Sequence, residues 1–322
     1  MTRDLTRKLA ALRNKMKEAC DPLPKDQRDN RLEQTRHDDD RFAALYLPHL
    51  YRQTAPDFHK VLSDAFAQRD TEIRTFGAPR NHAKTTRGII HLARAVCFKQ
   101  VHRVTTVSAS KDLAAELLEP LRISIEENSR ILQDFGPVIT RSSDGDFRAH
   151  GDIKVDCRGR EQSLRGPRND LIWTDDIETD QQARDKGQTE KLINIVLEVL
   201  YNRLIPESDG GGAFVNTGTI LSRKSMLARF LNINTAPDPE FPEMLKFGRL
   251  WRAIMTDEQG TPYALWPQRF SLEALEKIKR RIKARRFNKE YQNDPRDEDS
   301  IFRDDWFRDF HPAEFQTLAK AA

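Results

Sequence analysis

A chain of 322 residues can bury a sizeable core, and 32% charged against 38% hydrophobic residues give it a heavily charged surface. It contains no run of about 18 apolar residues, which excludes a membrane span, and its cationic start lacks the apolar core of a signal peptide. The net charge of +4 permits nucleic-acid binding without requiring it, and Cys20, Cys97 and Cys157 are too scattered for a disulfide framework or a metal knuckle and fit a reducing cytoplasm.

In chain order, residues 3–19 read as a basic helix, and 20–40, polar with two prolines, as a linker or irregular arm. Residues 54–70 carry Phe58, Val61, Leu62, Ala65 and Phe66 at helical spacing. From there strands and helices alternate. Residues 71–79 read as a strand, 84–98 as a helix, 102–110 as a strand and 111–128 as a helix. A β-hairpin is expected over 146–158, a short buried strand at 169–176, a long helix over 189–205 and another strand entered through the glycines at 210–212. This alternation predicts an α/β fold whose mainly parallel sheet is covered on both faces. The last strong element, 271–291, reads as one helix with Leu272, Leu275, Ile278 and Ile282 inside, capped by Ser271 and carrying eight cations between Lys277 and Lys289. Those cations suit phosphate tracking, subunit docking or plain solvation.

Between the first strand and its helix lies "APRNHAKTT", residues 78–86. A phosphate-binding loop of the pattern G-x-x-x-x-G-K-[ST] needs converging backbone amides, a helix N-terminus, a lysine for the β/γ-phosphates and a hydroxyl for Mg²⁺. Lys84 and Thr85 stand in register, but Ala78 and Ala83 replace both glycines. Alanine is admissible where the backbone angles are ordinary or where strain is tolerated. Alone, the loop reads equally well as a chance strand–loop–helix. A second motif lies 91 positions further on: "LIWTDDIE" runs as a strand into Asp175 and Asp176, with Glu178 two beyond. Phosphoryl-transfer sites need such a carboxylate on the metal and a second one orienting the attacking water. A third stretch, "FVNTGTIL", sets Thr217 and Thr219 around Gly218 on a strand.

As an ordered set these stretches resemble the ATPase domain of the large terminase subunit of tailed bacteriophages, over roughly residues 40–302. The resemblance implies a P-loop NTPase fold of the RecA-like kind, with residues 1–40 as helix and linker, 41–302 as the ATPase domain with a lid-like part from about 240, and 303–322 as the start of a linker. It implies ATP and Mg²⁺ as ligands, with Ala78, Pro79, Asn81, His82, Ala83, Lys84, Thr85 and Thr86 around the phosphates and Thr85 and Asp175 on the metal. Arg80 matches the family's loop arginine, facing the γ-phosphate. Asp176 or Glu178 would orient the water, Phe58 and His59 would meet the adenine or simply pack, and Thr217, Gly218 and Thr219 match a coupling motif. Arg158, Arg160 or Arg165 would be donated to a neighbouring subunit's nucleotide. The implied partners are double-stranded DNA, further copies of the chain in a ring, a portal protein and a small terminase subunit, with no membrane, in the host cytoplasm at the procapsid portal. The twenty residues after Phe302, Asp304, Asp305, Asp309 and Glu314 among them, are too few for the family's nuclease domain, so no cleavage is expected. A helicase-like translocase would need a second RecA-like domain, for which residues beyond 240 show too little alternation. A non-catalytic DNA-binding scaffold would have no use for Lys84, Thr85, Asp175 and Asp176 together.

Overall fold

The computed structural model describes residues 3–143, 145–233 and 247–295. Helix α1 (Arg3–Ala19) buries Leu5, Leu9 and Met16 against Ile123, and Arg13 forks onto Glu127 at 2.7–2.9 Å. The stretch expected to be a linker contains a helix, α2 (Arg28–Thr35). Its Arg31 makes a buried ion pair with Asp134 at 2.8 Å, and the Tyr46 hydroxyl donates to the same carboxylate at 2.8 Å. A fully paired buried charge fixes the segment where composition alone suggests mobility. Helix α3 (Asp39–Tyr46) starts on Asp38, whose carboxylate accepts from the amides of Asp40 and Arg41. In α4 (Asp57–Ala67) Phe58, Leu62, Ala65 and Phe66 are buried as the spacing predicts. Val61, at the margin of that stripe, is 41% exposed, contrary to expectation.

The central sheet contains β1 (Ile73–Gly77), β2 (Arg103–Ser108), β3 (Ile139–Ser143), β4 (Asp146–Ala149), β5 (Ile153–Gly159), β6 (Leu171–Asp175), β7 (Ala213–Gly218) and β8 (Arg249–Leu250). Their spatial order is β3-β4-β5-β2-β6-β7-β1-β8. From β5 to β8 all neighbours are parallel, while β3 and β4 extend the sheet antiparallel. The hairpin expected over 146–158 is β4–β5, and β3 is an added strand. Helix α5 (Lys84–Cys97) crosses from β1, and α6 (Lys111–Glu126) follows β2 and leads into α7 (Ser129–Phe135), capped by Asn128. Trp173 fills the space under Gly88, where an added Cβ would lie 2.4 Å from the indole. Glycine there lets α5 lie directly on β6. One core lies on the α5–α6 face of the sheet, and a second joins Val107, Ile172 and Phe214 to the residues after β6.

The expected long helix over 189–205 is shorter: α8 (Lys186–Asn194) passes into a wider turn at Ile195–Leu200 and a tight one at Tyr201–Arg203. The wider winding keeps Leu192, Val196 and Leu200, four apart, on one buried line. A short α9 (Met226–Phe230) follows β7, and β9 (Ile254–Thr256) pairs antiparallel with β10 (Pro262–Ala264). The single helix expected over 271–291 is two, α10 (Leu272–Ile282) and α11 (Ala284–Gln292), broken at Lys283 with φ 69°. The break lets Leu275, Phe287 and Tyr291 share one cluster, and it interrupts a run of like charges at helical i, i+4 spacing. Ser271 caps α10 as expected. No described helix is long and apolar enough to cross a membrane. Residues 303–322, and with them Asp304, Asp305, Asp309 and Glu314, lie outside the described residues, as does part of 240–302.

Candidate phosphate and carboxylate site

Parallel α/β sheets open a crevice beyond the carboxyl ends of their strands. Here β1 delivers the 78–83 loop, β6 delivers Asp175 and Asp176, and β7, running between them, delivers Thr217 and Gly218. The loop is pinned to its neighbours: the Ala78 amide donates to Gly218 O at 3.0 Å, and the Thr219 hydroxyl to Ala78 O at 3.4 Å. Asn81 (φ 64°) and Ala83 (φ 60°) are both left-handed. Ala83 therefore adopts the backbone for which glycine is usual, whereas Ala78 keeps an ordinary negative φ and is fully buried. The two missing glycines are different cases: strain at the second, none at the first.

Lys84 opens α5, and no side chain caps the amides there, so they are free to meet an anion. Its ammonium donates to Asp176 Oδ2 at 3.2 Å, and the Thr85 hydroxyl donates to Asp175 Oδ2 at 2.6 Å. The other Asp175 oxygen lies 2.6 Å from the Thr217 hydroxyl, which accepts from the Trp173 indole at 2.9 Å. Burial and then the Asp176 charge push the Asp175 carboxyl up to about 6. Burial would lower the Lys84 ammonium, but the carboxylates of Asp176 and Asp175 outweigh it and raise it. Asp176 is strained as well, at φ 44°, with its side chain half exposed. Gly218 abuts it: a Cβ there would lie 3.5 Å from Asp176 Oδ1 and 2.6 Å from Leu227.

Glu178 points elsewhere. It is buried and accepts from the Met226 amide at 3.0 Å, at the start of α9. Burial pushes its carboxyl up to about 7.

Other expected residues separate into groups. His59 donates from Nε2 to His82 O at 2.8 Å, and His82 donates from Nδ1 to Arg80 O at 3.0 Å while stacking on Phe270. Burial pushes both imidazoles down to about 4, so they are neutral near pH 7. A cavity of about 70 Å³ lies beside Ala83 and Thr86, walled by His59, Arg87, Trp266 and Arg269. Phe58 is not part of that wall; it is buried against Trp251, 5.2 Å between ring centroids. Arg158 is tied to Asp146 (3.1 Å) and Asp156 (3.6 Å), and Arg160 is buried near Glu178. Arg165 is exposed and has no ion-pair partner among the described residues.

Sequence reasoning missed the contribution of α11. Arg80 forms an ion pair with Glu290, and its amide donates to Glu290 O at 2.8 Å. Asn81 donates to the Tyr291 hydroxyl at 3.3 Å, Lys289 pairs with Asp180, and Asn293 accepts the Ile220 amide at 2.9 Å. One short segment thus holds the loops after β1, β6 and β7. No local signal in "NKEYQN" announces contacts some 200 residues away.

A mainly parallel sheet with the loop strand separated from the acidic strand by one other, and a Lys-Thr pair opening the intervening helix, has the P-loop NTPase architecture. Among solved structures the chain is similar to the large terminase ATPase domain of Thermus phage P74-26: TM-score 0.46, 14% identity, 75% of this chain and 99% of that one. A point mutant of that domain gives 0.46 and 14% over 73% and 93%. The HK97 bacteriophage large terminase gives 0.43 and 12%, over 62% of this chain and 40% of that one. No family model matches the chain, and no curated protein matches it.

Proposed function

We propose that the chain is an ATP-hydrolysing motor subunit that drives double-stranded DNA into a viral procapsid. The observation that carries the catalytic half of this reading is the convergence of Lys84 and Thr85 with Asp176 and Asp175, at 3.2 and 2.6 Å, in one crevice. In the reading, Lys84 and the first α5 amides bind the β- and γ-phosphates. The hydroxyl of Thr85 and the carboxylate of Asp175 are hard oxygen donors already side by side, which fits Mg²⁺, a cation that takes one or two protein ligands beside phosphate and water. Bound there, Mg²⁺ would neutralise charge on the β- and γ-oxygens. Asp176 orients the attacking water; Glu178, committed to the start of α9, does not.

Arg80 is the charge-stabilising residue, held by Glu290 until a γ-phosphate competes for its guanidinium. That exchange passes nucleotide occupancy to α11, while the hydroxyls of Thr217 and Thr219 pass it along β7. In this reading the base lies in the cavity of about 70 Å³ walled by His59, Trp266 and Arg269. Exposure favours Arg165, over Arg158 and Arg160, as the arginine offered to a neighbouring copy. A ring of such subunits, a portal protein and a small terminase subunit complete the proposed assembly, in the host cytoplasm at the procapsid portal.

The test is phosphate release from Mg·ATP by the wild-type chain and by Lys84→Ala. The variant is expected to lose at least about a hundredfold, as when an electrostatic donor is removed from a phosphate or oxyanion. Equal turnover in both proteins overturns the reading.

A further inference from the structure

We infer that the open face of the β3–β4–β5 extension is a docking surface for the phosphate backbone of duplex DNA. The inference takes its partner from the motor reading, but rests on the strand register. Arg141 stands opposite Arg148, Arg148 opposite Lys154, and Lys154 opposite Arg103. Directly opposed residues share a face, so four cations form one row across four strands. At strand spacings of about 4.8 Å the row is about 14 Å long.

The row lies on the side of the sheet away from α6. The alternate residues Phe147, Ala149, Ile153, Val155 and Cys157 point into the α5–α6 core. On the other side, the second core covers Val107, Ile172 and Phe214 of β2, β6 and β7, and none of its members belongs to β3, β4 or β5. Arg141 and Arg148 are exposed. A groove of about 240 Å³ follows the β3–β4 ladder, lined by Arg141, Arg148 and Lys154 together with Asp146.

Like charges directly opposite each other destabilise a sheet, by a few tenths to about 1 kcal/mol per pair. Here three such pairs are consecutive. Asp156 relieves part of the repulsion, reached by Lys154 at 3.2 Å, Arg158 at 3.6 Å and Arg103 at 3.8 Å. Arg141 and Arg148 have no carboxylate partner among the described residues. With Arg158, five cations share the patch with Asp146 and Asp156. A polyanion completes this arrangement: about 14 Å of duplex axis carries about eight phosphate charges. Backbone phosphates ask only for Lys and Arg and read no sequence, and no base-reading geometry is evident in the row. The row crosses the starts of β2 and β5, about 15 Å by strand rise from the ends that hold the nucleotide crevice, so it is separable from catalysis.

The experiment is fluorescence anisotropy of the full chain with a labelled, blunt, random-sequence DNA duplex across a salt series. It compares wild type, Arg141→Ala with Arg148→Ala, and Arg141→Lys with Arg148→Lys, with thermal melting as a folding control. The alanine pair should bind about tenfold more weakly at low salt and lower the log–log salt slope by about 1.8, close to 0.9 per phosphate contact. The lysine pair should bind like wild type, since a phosphate needs only the charge, and phosphate release without DNA should be unchanged in both. An alanine pair that keeps the wild-type affinity and slope overturns the inference, as does a wild-type chain that binds no duplex. If the alanine pair only aggregates while binding normally, the arginines merely protect a sheet edge, and the inference fails. Unaltered binding alongside Lys84-dependent turnover sinks the surface and leaves the motor reading; the salt signature without such turnover does the reverse.

Discussion

The two ends of the sheet solve opposite problems. Around β1, β6 and β7 every strand is parallel and wholly buried, and left-handed residues gather at the strand ends: Asn81, Ala83 and Asp176. Around β3–β5 the strands turn antiparallel, one face is open, and cost is carried as like-charge repulsion in a row of cations. At the first end a fixed backbone positions a few atoms within hydrogen-bonding distance of one another. At the second, a row of cations in excess of its two carboxylates runs across an open face and needs no exact geometry. In the proposed readings the first arrangement binds and hydrolyses a triphosphate and the second holds a long polymer whatever its sequence.

Exchanging single atoms at the crevice is the strongest way to break that comparison. Asp176→Asn keeps the shape but removes the charge facing Lys84, and a positioned base contributes about 10²–10⁴ in rate. Turnover of Mg·ATP should fall by that factor, while Glu178→Gln should stay within tenfold of wild type because its carboxyl serves the Met226 amide. The reverse pattern would make Glu178 the water-orienting residue and dissociate it from α9.

The same Glu178 sharpens the comparison through pH. Its folded carboxyl titrates near 7 rather than 4.5 because burial disfavours its charge. A raised value means that the native state holds the proton more tightly. Stability from this group is therefore complete below about pH 4.5 and is lost as pH rises through 7, by roughly 3 kcal/mol for the whole span. Glutamine imitates the protonated form and can still accept from Met226. Denaturant titrations should then show Glu178→Gln matching wild type near pH 4.5 and exceeding it by that order at pH 8. A constant difference at both values would remove burial as the cause.

The difference between the two ends also governs what the amino-acid order reveals. The proposed phosphate chemistry calls for Lys84 beside Thr85 and Asp175 beside Asp176; these are chain neighbours, and the alternating strands and helices bring the two pairs together. The cation row has no such adjacency: Arg103, Arg141, Arg148 and Lys154 become neighbours only through register, and β3 has none of the alternation that marks a strand. The grip of Glu290 and Tyr291 on the 78–83 loop, and of Asn293 on the Ile220 amide after β7, is illegible for a related reason. It depends on the break at Lys283, which tertiary burial of Phe287 and Tyr291 imposes on a sequence with continuous helical spacing. The arm at 20–40 reads as loose because a buried Arg31–Asp134 pair looks, in sequence, like two surface charges 103 residues apart.

The smallest expected effect concerns Ala78 and Ala83, the alanines at the two glycine positions of the loop pattern. Ala83 is held at φ 60°, ψ 25°, where a Cβ costs about 1–2 kcal/mol. Glycine removes that strain but adds freedom to the unfolded chain, about 0.4–1 kcal/mol in the other direction. Ala83→Gly should therefore stabilise the protein by about 1 kcal/mol or a little less, visible as a melting point higher by a few degrees. Ala78 has ordinary angles and no exposed surface. Ala78→Gly gains no relief there, loses a buried methyl worth about 0.8 kcal/mol and adds the same unfolded-state entropy, so it should destabilise by about 1–2 kcal/mol. The two substitutions restore the same consensus letter and should move stability in opposite directions. If both shift the melting point the same way, the left-handed geometry at Ala83 is not what distinguishes the two positions, and strain is not the feature that separates this end of the sheet from the other.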